Sequence, residues 1–409
     1  MNRIQDITFM FDEFDEFRLN KIVKSSINIS EKKCIIMYVR EIINGAAPFA
    51  DLMDLDEHYF PNREKNLEGR VAYAMGECFK YINKHLPSDT EILFICDNTA
   101  EGFIDYSVIP DNVKIMLIPF WFIWAYCTHK KINQASKTEF SFPKNFLFLP
   151  GKINKRERIA VLQMLHKNKW FDEDICTWST NFKAIPKDSY YYNNIQSMLD
   201  EWKNYENAIT NVRDFEQYDR QLDCDLRLHT NNNFFHHTGI PYDVDIFNRT
   251  GFSIITETNF GIIGKIPLFS EKTSRTIYNT MPFIQICNGV NGVLKSLGFK
   301  TFEDIYGIEE FSYHGPELVD QLTYAVSNML ECKDIKELES RAVYNRKHLI
   351  EIAEQFLQKY ENSIIVKPVD HERNQEYQGM QDWILHNYIY ANSYGVEGVS
   401  FNYANPFHF

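Results

Sequence analysis

The sequence predicts an α/β protein with two parallel-sheet halves followed by a helical region. Short runs of Ile, Val, Leu and Phe alternate with segments whose apolar residues have helical spacing. These runs are apolar at nearly every position, which is typical of strands in a parallel sheet covered on both faces. A polar stretch at 136–143 interrupts the alternation, which then restarts. We therefore expect a linker at 136–143 between two α/β halves.

The first half contains three apolar runs that are predicted to be strands, at 33–39, 91–96 and 113–118. Between the first two runs, 71–86 has apolar residues at helical spacing and stops before Pro87. A helix between consecutive strands is typical of parallel-sheet folds, so this order predicts a parallel sheet.

The second half repeats the pattern. Its predicted strands and helices lie at 145–149, 156–169, 252–256, 270–280 and 282–287. A turn is expected at 150–152, where a proline and a glycine follow the first of these strands. The stretch 186–250 is polar and aromatic, and no element is assigned to it. Helical spacing then continues almost throughout 317–360.

Length and charge restrict the class of protein. At roughly 150 residues per domain, a chain of 409 residues predicts two or three domains. The 43 Lys and Arg residues against 56 Asp and Glu give a net charge of −13, so any contact with nucleic acid needs a local basic patch. No apolar run reaches the length of about 18 that predicts a membrane span.

The N-terminus and the cysteines indicate a cellular location. Asp and Glu stand where a signal peptide has an uncharged apolar core. The 8 cysteines are scattered without a CxxC pair, which is typical of reduced thiols. We therefore expect a cytoplasmic protein without a membrane span.

The segment 252–302 carries the pattern most informative about function. A predicted strand ends at Glu257, and a loop leads to Ser270, a good N-cap residue at the start of a predicted helix. The first N–H groups of a helix attract anions, and Lys272 adds a cation at the same place. This combination suits a diphosphate, and the carboxylates of Glu257 and Glu271 suit hydrogen bonds from ribose or sugar hydroxyls.

This segment resembles the nucleotide-sugar glycosyltransferases of GT-B architecture, and within them the fucosyltransferase-like signature. The matching motifs are Glu257-Thr258-Asn259, Ser270-Glu271-Lys272 and Pro282-Phe283-Ile284. The run at 297–302 (LGFKTF) is similar to glycosyltransferases encoded by large bacteriophages. The resemblance covers roughly 150 residues, from 146 to 302.

The resemblance implies two Rossmann-like domains facing a cleft, with a helical C-terminal region. The implied acceptor domain is 1–140, the implied donor domain is 141–345, and 346–409 forms helices and an aromatic tail that packs back on the body. The implied donor-binding residues are Lys152, Arg158, Glu257, Asn259, Ser270, Glu271 and Lys272. The donor is a UDP- or GDP-linked sugar, and which sugar and which nucleotide stays open.

In the resembled family, an arginine between a strand and the following helix binds donor phosphate, and Arg158 has that position. The planar fork of an arginine suits phosphate oxygens. The alternative is that Arg158 belongs to a solvated basic helix face together with Lys155, Lys167 and Lys169.

The predicted mechanism is an inverting transfer without a metal. Retaining GT-B enzymes often have a Glu-x7-Glu pair, but position 265, eight after Glu257, is a lysine. An inverting transfer needs a base for the acceptor proton. Asp97 and Glu101, at the end of the second predicted strand, are the main candidates. Asp105, slightly later, and Glu41, after the first predicted strand, are further ones. Lysine and arginine would neutralise the leaving diphosphate, so no metal or other cofactor is expected.

Three other patterns have less functional content. Asp-x-Asp triplets, which hold manganese in the other major glycosyltransferase fold, occur at 54–56, 172–174, 223–225 and 243–245. In so acidic a chain chance explains them. The pair at 236–237 (His-His) is expected on a surface or acceptor loop. Trp121 and Trp124, beside Phe120 and Phe122, are expected in the core.

Two acceptors remain open. One is a glycan hydroxyl, as in fucosyl transfer. The other is a hydroxymethylated pyrimidine in bacteriophage DNA, which requires the base to be flipped out of the duplex and a basic path for the DNA. In that case the location is the host cytoplasm. An alternative from a different functional class also stays open. In it, the chain is a non-catalytic nucleotide-sugar or glycan-binding protein on the same fold. The oligomeric state also stays open.

Overall fold

A computed structural model of the chain describes residues 34–38, 91–97, 106–119, 121–123, 125–126, 145–151, 155–171, 175–180, 190–218, 245–257 and 269–361. The chain divides into two compact units. The first unit comprises residues 1–120, 264–266 and 353–409, and the second comprises 121–263 and 267–352. The predicted helix at 71–86 and the predicted linker lie outside the described residues. The predicted domain limits, at 140 and 345, stay predictions.

The first unit contains a three-stranded parallel sheet, as the sequence predicts. Its strands are β1 (Cys34–Tyr38), β2 (Glu91–Asp97) and β3 (Val113–Ile118), in the order β1-β2-β3. In the register, Cys34 pairs with Glu91, and Asp97 at the end of β2 pairs with Ile118. All three predicted strands are confirmed within one residue at each end.

The second unit contains a four-stranded parallel sheet. Its strands are β4 (Phe146–Gly151), β5 (Cys176–Thr180), β6 (Phe252–Ile255) and β7 (Phe283–Gln285), in the order β5-β4-β6-β7. The turn expected at 150–152 is wrong in part, because Gly151 still belongs to β4 and pairs with Thr180 after a register irregularity. β5 was not predicted, since its sequence CTWST is mostly polar.

The helices of the described residues are α1 (Arg156–Asn168), α2 (Tyr190–Trp202), α3 (Asp245–Asn248), α4 (Glu271–Tyr278), α5 (Val290–Ser296), α6 (Glu303–Tyr306), α7 (Gly315–Glu331) and α8 (Ile335–Glu361). The helical pattern expected throughout 317–360 is two helices, which separate where Cys332 takes an extended conformation with ψ 125°. A 3-10 helix spans Val212–Tyr218. Within the described ranges, no helix is long and apolar enough to cross a membrane.

Aromatic side chains form much of the core of the second unit. The ring of Phe146 stacks on that of Phe252, on the neighbouring strand, at 5.3 Å between centroids. Phe122 contacts Phe269 and Phe299, with centroid distances of 5.1 and 4.9 Å. Phe122 is fully buried and Trp121 nearly so, which confirms for these two residues that the aromatic run belongs to the core.

α1 is buried on most of its surface, unlike the basic amphipathic helix that its sequence predicts. Nine of its 13 residues are buried. The buried side chain of Gln163 forms two hydrogen bonds with the backbone of Ile209. It accepts one from the Ile209 N–H at 2.8 Å and donates one to the Ile209 carbonyl at 3.1 Å. The side chain thus satisfies a buried loop as a backbone partner would, and it fixes that loop over the helix.

Gly315 begins α7 against Trp202, and a Cβ at this position would lie 1.6 Å from the indole. Gly315→Ala should therefore force the tryptophan or the helix to move, at a cost of about 1–3 kcal/mol of unfolding free energy. Urea unfolding, monitored by circular dichroism, measures this cost.

Gly292 is the matched control, because it lies in α5 and a Cβ added there would have no atom within 4 Å. Gly292→Ala should stabilise the protein by up to about 1 kcal/mol, since alanine favours the helix. Equal effects of the two substitutions would contradict the packing of α7 on Trp202.

Candidate functional site

The candidate site lies at the carboxyl edge of the second unit's sheet. From β4 the chain passes to β5 on one side, whereas β6 lies on the other side of β4. The strand order therefore reverses between β4 and β6. Open α/β sheets bind ligands at such a reversal, outside the carboxyl ends of the strands. The segment after β4 leads to Arg158, and the segment after β6 begins with Thr256 and Glu257.

Glu257 connects the end of β6 to the start of α4. Its side chain is 1% exposed and accepts three hydrogen bonds. They come from the Ser270 N–H at 3.0 Å, the Ser270 hydroxyl at 2.5 Å and the Thr273 hydroxyl at 2.6 Å. Gln285, on β7, donates to the Thr273 hydroxyl at 3.0 Å. Two strands and one helix are therefore joined through one carboxylate.

Ser270 is the N-cap of α4, as the sequence predicts. It has an extended backbone, and its hydroxyl accepts from the Lys272 N–H at 3.3 Å. Part of the positive end of α4 is thus already occupied, by the Ser270 hydroxyl and by the Glu257 carboxylate. A carboxylate has about four acceptor positions, and three of those on Glu257 are already used. At most one remains for the predicted contact with a sugar or ribose hydroxyl.

Lys272 is mostly buried at this edge. Its Nζ lies 2.6 Å from a carboxylate oxygen of Glu271 and 3.2 Å from the Ser270 hydroxyl, and its side chain is 18% exposed. Burial alone would raise the pKa of Glu271, but the charge and hydrogen bond of Lys272 outweigh it and lower that pKa. The ion pair thus keeps Glu271 charged.

Arg158 and Glu157 lie in the first turn of α1. Arg158 is 6% exposed, so the alternative that it belongs to a solvated helix face is wrong. Its Nε is 3.8 Å from Glu157 Oε1. Burial raises the pKa of Glu157 to about 7, against the lowering effect of Arg158, Lys155 and Lys272. The influence of Lys272 indicates that the starts of α1 and α4 lie near one another.

Arg275 is a further cation at this edge, and it was not among the residues predicted from the sequence. It lies one turn after Glu271 on α4 and is 4% exposed. Burial lowers its pKa, while the charges of Glu271 and Glu257 raise it. The spacing of four residues from Glu271 was a signal that the two side chains share a helix face. The depth at which the arginine is buried depends on tertiary packing.

Cys287 follows β7 at the same edge. Its thiol is 3% exposed, and its pKa is raised well above the ordinary value by burial and by the charges of Glu257 and Glu157. The thiol therefore stays protonated, which does not favour a nucleophilic role.

The remaining predicted residues are only partly described. Asp97 is the last residue of β2, in the first unit, which confirms its position at a strand end. Glu101, Lys152 and Asn259 lie outside the described residues. Where the structure describes the chain, it holds no group of three or more His, Cys, Asp or Glu side chains that suits a metal ion.

The arrangement at the edge favours binding of an anion. Four cationic side chains lie among three carboxylates, and one of those carboxylates, Glu157, is about half protonated near pH 7. The cations are Lys155, Arg158, Lys272 and Arg275. The chain matches no protein-family model, no curated protein and no solved structure. The chemistry of the site therefore has to be inferred from these residues.

Glu157 should make stability depend on pH. Its folded pKa, about 7, lies above the 4.5 of an ordinary glutamate, so its stabilising contribution is complete below about pH 4.5 and is lost as pH rises through about 7. Ionisation then costs about 3 kcal/mol. Glu157→Gln should remove this cost and raise the urea midpoint at pH 8 far more than at pH 5.

Glu310→Gln is the control, because Glu310 is exposed in the same unit. This substitution should leave the dependence of the urea midpoint on pH unchanged. If the parent protein and Glu157→Gln respond to pH alike, the carboxyl of Glu157 is not the group that titrates.

Proposed function

We propose that this protein is a glycosyltransferase of GT-B architecture, which moves a sugar from a nucleoside-diphosphate sugar to an acceptor hydroxyl. The observation that carries the proposal is the gathering of buried cations at the strand-order reversal of a parallel sheet. Lys272, Arg158 and Arg275 lie there, with the N-terminus of α4. Such a group of positive charges suits a diphosphate.

The cations would act on the leaving group. As the bond to the sugar breaks, negative charge develops on the diphosphate, and fixed positive groups in a buried site stabilise that charge. We assign this role to Lys272, to Arg158 and to the first N–H groups of α4, with Lys152 as a neighbour. No metal is required for this step.

The carboxylates would have different roles. Glu271 is held by Lys272 through a single contact at 2.6 Å, so its other oxygen suits a ribose or sugar hydroxyl. Asn259, two positions after Glu257 in the sequence, is proposed to assist. Glu257 is engaged by Ser270 and Thr273, so its main contribution to donor binding is to hold α4 in position.

An inverting transfer also needs a base to remove the acceptor proton. Asp97 and Glu101 are the proposed candidates, because Asp97 ends β2 and Glu101 follows four residues later. The proposal assigns the acceptor to the 1–140 region. A carboxylate at hydrogen-bond distance from the acceptor hydroxyl is sufficient for this chemistry.

The acceptor is a glycan hydroxyl or a hydroxymethylated pyrimidine in bacteriophage DNA. The net charge of −13 favours the glycan, because DNA binding requires a basic path across an acidic protein. A gel shift with hydroxymethylated and unmodified DNA at two salt concentrations separates these acceptors. Retardation of modified DNA that weakens with salt favours the DNA acceptor.

Lys272→Ala tests the proposed donor site. We expect the parent protein to bind UDP or GDP and to hydrolyse or transfer one nucleotide sugar from a screened panel. Without Lys272, one of the fixed charges on the leaving diphosphate is lost, so turnover should fall by about 100-fold. Turnover is measured as the release of the nucleoside diphosphate, which chromatography detects.

Lys347→Ala is the matched control, since the Lys347 side chain is 76% exposed and pairs only with Glu351 among the described residues. It should leave turnover unchanged. If Lys272→Ala binds and turns over donor like the parent protein, the donor site is elsewhere. If the parent binds the nucleotide but transfers no sugar to any glycan or DNA acceptor, the chain is a binding protein instead.

A further inference from the structure

Within the described part of the chain, the guanidinium of Arg275 is buried without a hydrogen-bond or ion-pair partner. The residue is 4% exposed, and among the described residues its side chain takes part in no hydrogen bond and no ion pair. Its Nε is fully inaccessible and has no acceptor. Arginine does not lose its proton in proteins, so a full positive charge is buried here. Burial of a charge without hydrogen bonds is costly.

The nearest carboxylates do not compensate for this charge. Glu271 and Glu257 attract Arg275 electrostatically, but neither is within ion-pair distance of it. Glu271 is bound to Lys272 at 2.6 Å, and Glu257 is engaged by Ser270 and Thr273. The attraction keeps the guanidinium near the carboxyl edge of the sheet, while its buried Nε has no acceptor among the residues that the structure describes.

Another arginine in the same unit shows how this chain satisfies a structural guanidinium. Arg341 forms two parallel bonds to Asp304, at 2.6 and 2.8 Å. It also bonds Glu337 at 2.7 Å and the Thr301 carbonyl at 2.8 Å. Arg341 therefore has acceptors for most of its donors, although its side chain is 17% exposed and thus less buried than Arg275.

We propose that Arg275 is an anion-binding residue whose missing acceptors are phosphate oxygens of a bound diphosphate. A phosphate offers several charged oxygens in a geometry that matches the arginine fork. α4 brings Arg275 to the same edge as Lys272, because both lie in its first two turns. The identity of the anion as part of a nucleotide-sugar donor rests on the proposed function, whereas the anion-binding role does not.

Arg275→Met gives a readout that a structural arginine would not give. Methionine fills similar volume without a charge, so the unliganded variant should melt at the same temperature as the parent protein or higher. A charge that is uncompensated in the free protein costs stability, and its removal relieves that cost. The variant should also bind UDP or GDP, whichever the parent prefers, at least about tenfold more weakly.

The experiment measures melting temperature and calorimetric Kd with UDP, GDP, inorganic pyrophosphate, phosphate, uridine and guanosine. We expect the parent to bind the diphosphates, and Arg275→Met to lose most of that affinity while keeping what affinity the parent has for the nucleosides. Arg275→Lys, which keeps the charge without the fork, should retain the fold and show intermediate affinity. If the methionine variant does not fold, the diphosphate affinity of Arg275→Lys tests the role of Arg275 instead.

Arg341→Met is the control, and it should lower the melting temperature while leaving the diphosphate Kd unchanged. The proposal is overturned if Arg275→Met keeps the parent's diphosphate affinity, whatever its melting temperature, or if the parent binds none of the anions. If the parent binds pyrophosphate, Arg275→Met loses that binding and the parent transfers no sugar, the role of Arg275 is supported and the glycosyltransferase is refuted. If sugar transfer is undiminished in Arg275→Met, the glycosyltransferase is supported and the role of Arg275 is refuted.

Discussion

The carboxylate of Glu257 is the interaction on which the candidate site depends. It is nearly inaccessible to water, and its three hydrogen bonds fix Ser270 and Thr273 to the end of β6. Gln285 extends the connection to β7. Because these contacts set the position of α4, they also set the positions of Lys272 and Arg275. A buried carboxylate at a helix start is favourable when it accepts backbone N–H bonds, so one group supports both the fold and the site.

The same edge also carries an electrostatic cost. Among the described residues, one buried oxygen of Glu157 accepts no hydrogen bond, and the buried Nε of Arg275 has no acceptor. A domain selected only for stability would replace such groups by apolar side chains. Natural proteins keep unfavourable groups mainly where activity needs them. Glu157 and Arg275 both lie at the strand-order reversal, and this supports the proposed anion site there.

Much of this architecture could be predicted from the sequence, because strands of parallel sheets are continuous apolar runs. β3 was predicted at its observed limits, and Ser270 was predicted as a cap from residue type and context. β5 was missed because polar residues dominate a short edge strand. Arg275 and Glu157 were missed since a helical position predicts neither depth of burial nor the lack of a partner. Those properties arise when distant segments pack together, and single-sequence patterns do not report them.

The pairing of β4 with β6 has a consequence for how the protein folds. The Ser253 hydroxyl contacts the carbonyl of Leu147, and these residues are 106 positions apart in the chain. Closing so large a loop is entropically expensive and slow compared with local helix formation. The strand-order reversal therefore forms only when β6, at the end of the long intervening chain, pairs with β4. During synthesis, a ligand for that edge would have nothing to recognise until both strands had emerged from the ribosome.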